Sequence, residues 1–268
     1  MSGVATTELG DGPAVLLVHG LNGFKEGWGP LPAALAGAGH RVIAADLPGF
    51  GASRRVRDTG PETLATALRP LLARHAPADV VAHSLGTQVA MLLAAGEPSL
   101  VRRLALLSPW VVARPRRFPP RRVSDVLQLP LVGRPLARLM IGRMRRDPER
   151  RRQAYLSVLA HPERAADDPG MAALLEVASD RLVAADLRAM ADWAANGMAF
   201  DVRPLAPRIA QPTLVVAGAR DRVTPVAGAL RLVSVLPAGR MLRLPDVAHF
   251  PHLEAPGEVL PALVEHLA

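Results

Sequence analysis

Three side chains, spread across the chain, are of the types that together turn a hydroxyl into a nucleophile. The first is Ser84, in Val80-Val81-Ala82-His83-Ser84-Leu85-Gly86-Thr87-Gln88. An apolar strand-like run leads straight into a serine with small residues two positions away on either side, and a helix-like segment follows. Such a strand-to-helix turn pushes the serine hydroxyl outward, and it needs small neighbours because the backbone doubles back on itself. The N–H of Leu85, at the start of the following helix, is free to meet a developing oxyanion. The bland alternative is a serine that caps that helix.

A serine is a weak nucleophile without a base. Of eight histidines, His249 is the candidate, because it follows a strand-like run in Leu244-Pro245-Asp246-Val247-Ala248-His249-Phe250-Pro251-His252 and precedes the last helix. His252 is its local competitor, expected to cap or to face solvent. His19 and His83 flank the site and suit packing and hydrogen bonding. His40, His75, His161 and His266 are expected at the surface. A carboxylate should fix the imidazole tautomer and stabilise its protonated form. Asp221, in Ala217-Gly218-Ala219-Arg220-Asp221-Arg222-Val223-Thr224-Pro225, lies just past an apolar run. Asp246 is the rival, but it is too near His249 in sequence to reach the ring easily from behind. The alternative for Asp221 is a turn residue paired with Arg220 or Arg222.

The elements that must carry these residues follow from hydropathy. Apolar runs of strand length occur at Ala14–Val18, Arg41–Ala45, Asp79–Ala82, Leu104–Leu107, Thr213–Ala217 and Arg240–Leu244. Strands apolar on both faces suit a parallel sheet covered by helices. Helical spacing appears at Leu31–Ala38, Pro61–Arg74, Gly86–Ala95 and Pro256–Leu267, the last with Val259, Leu260, Leu263, Val264 and Leu267 on one face. The alternation predicts an α/β doubly wound, mostly parallel sheet, with ligands beyond the carboxyl ends of its strands.

Residues 110–200 break the alternation. Helix-prone stretches at Val123–Gln128, Leu136–Arg146, Pro148–Leu159, Met171–Ala178 and Asp180–Ala195 are divided by prolines. This reads as a helical lid (110–200) inserted between two parts of one core, 1–109 and 201–268.

With these elements in place, the chain resembles the α/β-hydrolase superfamily in the order Ser…Asp…His, each after a separate strand. His19-Gly20-Leu21-Asn22-Gly23 resembles that family's oxyanion loop, which implies Leu21 N–H as a second donor beside Leu85 N–H. Asp46-Leu47-Pro48-Gly49-Phe50-Gly51-Ala52-Ser53 resembles its Asp-x-x-Gly-x-Gly-x-Ser turn. Gly218-x-x-Asp221-x-x-x-Pro225 and His249-x-x-x-x-Glu254-x-Pro256 resemble the segments carrying its acid and base. Ala82 stands where the serine motif usually has glycine, and only about nine residues precede Gly10, so one of the two usual opening strands is expected to be short or absent. Serine rather than aspartate as the nucleophile implies acyl chemistry on esters or thioesters, with no cofactor and no metal. The ring-fission-product hydrolases, which cleave a carbon–carbon bond beside a ketone, fit the resemblance equally, and a lactonase or peroxidase-like side activity is compatible with it. The same scaffold also serves binding proteins and non-hydrolytic cyclases or lyases.

Composition narrows the remaining classes. The 268 residues are half hydrophobic and 21% charged, which predicts a packed core. With no cysteine there are no disulfides, thiol nucleophiles or cysteine-bound metals. No apolar run approaches the roughly 18–20 residues of a spanning helix, and the N-terminus lacks a signal-peptide pattern, so a cytoplasmic protein is expected. The net charge of +8 invites a nucleic-acid reading, but Lys25 is the only lysine and aromatic residues make up 3% of the chain. Basic residues interleaved with stacking aromatics are therefore missing, and nucleic acid is not an expected partner. Arginine runs at Arg114–Arg117, Arg121–Arg122, Arg143–Arg146 and Arg150–Arg152 are read first as solvated helix faces. The sharper reading is steering of an anionic substrate or an acidic carrier protein toward a monomer or homodimer.

Overall fold

The computed structural model describes residues 3–56, 58–111 and 131–268. Its centre is a seven-stranded sheet: β1 (Thr6–Leu9), β2 (Ala14–Val18), β3 (Arg41–Ala45), β4 (Ala78–His83), β5 (Val101–Leu107), β6 (Thr213–Gly218) and β7 (Gly239–Leu244). The order across the sheet is β1-β3-β2-β4-β5-β6-β7. Only β1 runs antiparallel, pairing Thr6 with Ala45 through Leu9 with Val42. One four-residue strand thus precedes β2, in line with the short opening.

Period-2 geometry sorts the strand residues onto two faces. Leu16, Val18, Ile43, Ala45, Val80, Ala82, Leu104, Leu106, Val215 and Ala217 share one apolar cluster, covered by α2 (Pro61–Arg74) and α3 (Gly86–Gly96). Val15, Leu17, Val42, Ala44, Val81, Ala105, Leu107, Leu214 and Val216 share the other, covered by α1 (Leu31–Gly37) and the C-terminal helix Pro256–Leu267. Each buried Leu or Val contributes on the order of 1.5–3 kcal/mol. Because both faces are covered, register is tightly held: a slip of one residue would exchange the two clusters.

Between β5 and β6 the described chain is helical: α4 (Gly133–Arg146), α5 (Pro148–Leu156), α6 (Pro162–Asp167), α7 (Pro169–Ala184) and α8 (Leu187–Ala199). Aspartates start three of them. Asp147 accepts the N–H of Arg150, Asp168 those of Gly170 and Met171, and Asp186 those of Arg188 and Ala189. Asp-Pro pairs open α5 and α7, since proline at the first helical position loses no hydrogen bond. The break expected near Ser179 is absent: α7 runs through to Ala184, and the chain turns at Asp186 because that side chain caps α8. The stretch Val123–Gln128 and the arginines of 114–122 lie outside the described residues.

The insert is fastened to the core by α8. Trp193 and Met190 are fully buried there, and Trp193 packs edge-on against Phe50 at 5.2 Å and His19 at 6.3 Å. Thr59 Oγ1 donates to Ala189 O (2.7 Å), and Gln88 Nε2 donates to Gly197 O (2.7 Å). Beyond β6 come α9 (Val226–Val233), the one-turn α10 (Pro251–Glu254) and α11 (Pro256–Leu267). No helix among the described residues is long and apolar enough to cross a membrane.

Candidate active site

Ser84 follows directly on β4 at φ +53°, a conformation that L-residues adopt only when their surroundings enforce it. Its N–H donates to Leu107 O (2.9 Å), which extends the β4–β5 ladder through the bend. The turn can close because two glycines let other backbone approach. A Cβ on Gly86 would stand 2.4 Å from His19 O, and one on Gly20 would stand 2.8 Å from Ser84 Cβ. Ala82, fully buried in β4, satisfies the remaining small position. Ser84 does not cap α3: its hydroxyl faces His249 Nε2 at 3.0 Å.

The same ring meets a carboxylate on its other side, His249 Nδ1 to Asp221 Oδ2 at 2.8 Å. Ser84, Asp221 and His249 come from loops after β4, β6 and β7, and each is at most 6% exposed. Asp221 is ordered by its own turn. Its Oδ1 accepts the N–H groups of Val223 (2.7 Å) and Thr224 (2.8 Å), and its Oδ2 accepts the Thr224 hydroxyl (2.7 Å). Burial alone would raise the Asp221 pKa; the bonds from His249 and Thr224 outweigh it and hold the carboxyl below its ordinary value. Thr224 is not among the site residues expected from the sequence, although Asp-x-x-Thr at the end of a strand is the pattern of a carboxylate capped by its own turn. Arg220 pairs with Asp246 (2.7 Å), which also binds His161 (2.7 Å). Asp246 is thereby engaged at the surface, away from His249.

Several histidines depart from the expected surface positions. His252 is 2% exposed and packs against Trp28 at 5.2 Å. Burial lowers its pKa to about 3, so it is neutral. His40 and His266 are also buried, His266 donating from Nε2 to Leu104 O (2.7 Å). These rings fill core space, and single-sequence patterns do not separate a packed imidazole from a solvated one. His75 and His161 are half-buried. His83 donates from Nε2 to the His249 carbonyl (2.7 Å) and stacks on Phe250 at 4.9 Å; burial pushes its pKa well down. His19 Nε2 accepts the Leu47 N–H (3.0 Å), leaving Nδ1 to donate to Gly20 O (2.8 Å), and burial keeps this ring neutral too.

A cavity of about 680 Å³, part of it open to solvent, adjoins Ser84 and His249. Leu21 and Leu85 line it, which places both residues proposed for the oxyanion site beside the serine. Its far wall comes from the insert: Met144, Tyr155, Val158, Leu182 and Met198. A second cavity of about 650 Å³, likewise partly open to solvent, shares Leu21, Asn22, Tyr155 and Phe250 with it and is walled by Trp28, Leu174 and Leu175 together with His83 and His252. Among the described residues no Asp, Glu, Lys or Arg lines either. Among the described residues no group of three or more His, Asp or Glu is set to hold a metal ion.

The arginines of the two described runs, 143–146 and 150–152, divide into two sets. Arg145 bonds to Val183 O, and Arg151 bonds to Ser179 Oγ (2.8 Å) and Arg145 O (2.5 Å), so these two join α4 and α5 to α7. Arg143, Arg146, Arg150 and Arg152 are exposed.

Comparison with known proteins matches residues 13–256 to the family model described as alpha/beta hydrolase fold. The chain is 31% identical to the pimeloyl-[acyl-carrier protein] methyl ester esterase of Chromobacterium violaceum, over 97% of this chain and 96% of the relative. It is 27% identical to the pyrrolizixenacetamide deacetylase of Xenorhabdus hominickii, over 94% and 89%. Among solved structures, a thermophilic esterase from Thermogutta terrifontis superposes with a TM-score of 0.76 at 24% identity, over 98% of this chain and 92% of that one.

Proposed function

The chain belongs to the alpha/beta hydrolase fold family, and on that premise we propose that it is a serine hydrolase of uncharged carboxylic esters or thioesters. The observation that carries this reading is the hydrogen-bonded series from Ser84 Oγ through the His249 ring to Asp221, at 3.0 and 2.8 Å. His249 Nε2 takes the hydroxyl proton as Ser84 Oγ attacks the carbonyl carbon. The N–H groups of Leu21 and Leu85 receive the oxyanion. His249 then hands the proton to the leaving oxygen or sulfur, and an acyl group remains on Ser84. Water repeats the sequence with His249 again as base, which frees the acid. Asp221 stays ionised throughout and holds the ring so that Nδ1 carries a proton and Nε2 is free.

The substrate class follows from the walls. Among the described residues neither cavity is lined by an Asp, Glu, Lys or Arg, so a desolvated carboxylate or ammonium on either arm of the ester finds no partner there. Helices α4 to α8 act as the lid over this site and set the length of acyl chain it accepts. The exposed Arg143, Arg146, Arg150 and Arg152 fit an acidic carrier protein that presents the ester, consistent with the carrier-linked substrate in the name of the Chromobacterium relative.

p-Nitrophenyl esters of increasing acyl length, with mass spectrometry after a fluorophosphonate, test the chemistry. Turnover and labelling of Ser84, both absent in Ser84→Ala, are expected. Equal turnover in the variant removes this reading, and cleavage of a vinylogous diketone in place of esters moves it to carbon–carbon hydrolysis.

A further inference from the structure

Resting on His249 as the base, we propose that Glu254 is a positioning residue that ties the loop bearing His249 to the insert, so that the imidazole is set in place by residues 158–160. The loop after β7 is neither helix nor strand where it carries His249, and Ala248 and His249 are only 4% and 6% exposed. Buried N–H groups in such a loop need acceptors from elsewhere. Phe250 N–H donates to Glu254 Oε1 (2.9 Å), and Ala248 N–H donates to Glu254 Oε2 (3.2 Å). The N–H of His249 itself donates to Val158 O (3.1 Å), in the turn after α5. Glu254 Oε2 also accepts the N–H of Ala160 (2.7 Å), from that same turn. The backbone on both sides of the base and the turn of the insert thus meet on one carboxylate.

A purely local cap of α10 explains the bond from Phe250 but not the one from Ala160, 94 residues away in sequence. Three N–H donors on two oxygens call for a group that only accepts. A glutamine would turn its NH₂ toward at least one of them. The turn also touches substrate space, since Val158 lines the cavity with Ser84 and Leu159 lines its neighbour. Whatever fills these cavities and whatever orients the base therefore meet in the same turn, through Val158 and Leu159 on one side and Val158 and Ala160 on the other. The outer contact between His161 and Asp246 (2.7 Å) lies at the surface and cannot replace a partly buried carboxylate clamp.

The test compares full-length wild type, Glu254→Gln and Glu254→Asp, with Ser84→Ala as the blank. Gln removes the acceptor-only character; Asp keeps the charge but is one methylene short of Ala160. Misplacing a catalytic group by about 1 Å costs on the order of 100-fold, so kcat for p-nitrophenyl butyrate should fall about 10- to 100-fold in Glu254→Gln. KM should stay within about twofold, and Glu254→Asp should fall between the two. Amide hydrogen exchange should quicken together at 157–161 and 247–251. Overturning results are a kcat within about twofold of wild type, or faster exchange confined to 247–251. If Glu254→Gln does not fold, Glu254→Asp carries the same comparison. If wild type shows no turnover that depends on Ser84, the hydrolase reading fails by itself, and joint or separate exchange of the two segments still decides the clamp.

Discussion

The sheet edge and the helical insert share one cavity but are built to different standards. On the sheet side, Ser84 and Asp221 sit on short turns behind β4 and β6, which are buried throughout, His249 follows the edge strand β7, and glycines permit backbone approaches that no other residue allows. On the insert side, α5 buries no residue at all, and Leu139, Met140, Val177 and Val183 are exposed. Among the described helices of the insert, only α8 is packed like the core. On the function proposed above, atoms that must hold their separation to a few tenths of an ångström are carried by the rigid layer, and the wall that would meet the variable part of a substrate is carried by the looser one.

This contrast breaks first at the serine. Ser84→Ala should lower kcat by roughly 10⁴- to 10⁶-fold while leaving the melting temperature nearly unchanged; ester turnover and calorimetry check both halves. Asp221→Asn should cost about 10⁴-fold, because the amide favours the wrong imidazole tautomer. Thr224→Ala, which removes one donor to the carboxylate, should cost far less. If the insert mattered as much to chemistry as the sheet edge, Leu182→Ala would lower kcat comparably. We expect it instead to shift the preferred acyl length, read from a series of p-nitrophenyl esters.

Trp193→Ala probes α8, which packs like the core. Truncating a buried tryptophan should remove about 3–5 kcal/mol of stability, measured by urea unfolding. Substituting exposed Arg152 by Ala should change it by less than about 0.5 kcal/mol. A similar loss at both positions would erase the distinction between α8 and the rest of the insert.

Acid should act on the sheet side. Burial holds His252 neutral down to about 3 and lowers His83 as well. Unfolded imidazoles titrate near 6.5, so between about pH 6.5 and 3 the unfolded chain binds more protons than the folded one. Stability is therefore complete above that window and is lost as pH falls through it. Asp221, whose carboxyl is lowered, adds a loss in the same direction below its ordinary value of 3.8. Urea midpoints at pH 7.5, 5.5 and 4.5 should fall in that order, and the slope should flatten in His252→Phe. The smallest effect is expected at the exposed arginines: Arg146→Glu should leave turnover of neutral esters unchanged and slow only that of a carrier-bound ester, more so at low salt.

Much of the framework was legible because it is local. Strands β2 and β3 and helices α2 and α11 begin and end where hydropathy and proline place them. The turns around Ser84, Asp221 and His249 announce themselves through small residues, an aspartate after a strand and a histidine before a helix. Less was legible in the insert, where Asp180 looked like a helix start and Asp186 is one. Both are aspartates in helix-prone sequence, and only the path of α7 against its neighbours distinguishes them.

The sequence alone determined which residues are apolar on both sides of a strand, where the backbone must bend sharply, and so which end of the sheet carries the hydroxyl, the imidazole and the carboxylate. Only the tertiary structure decided that His40, His252 and His266 are buried, that Thr224 braces Asp221, and that Glu254 joins the His249 loop to a turn 94 residues away. The reason is one of range. Periodicity and turn chemistry are written within a dozen neighbouring residues, whereas burial and the acceptors of loop N–H groups depend on segments that meet only once the chain has folded.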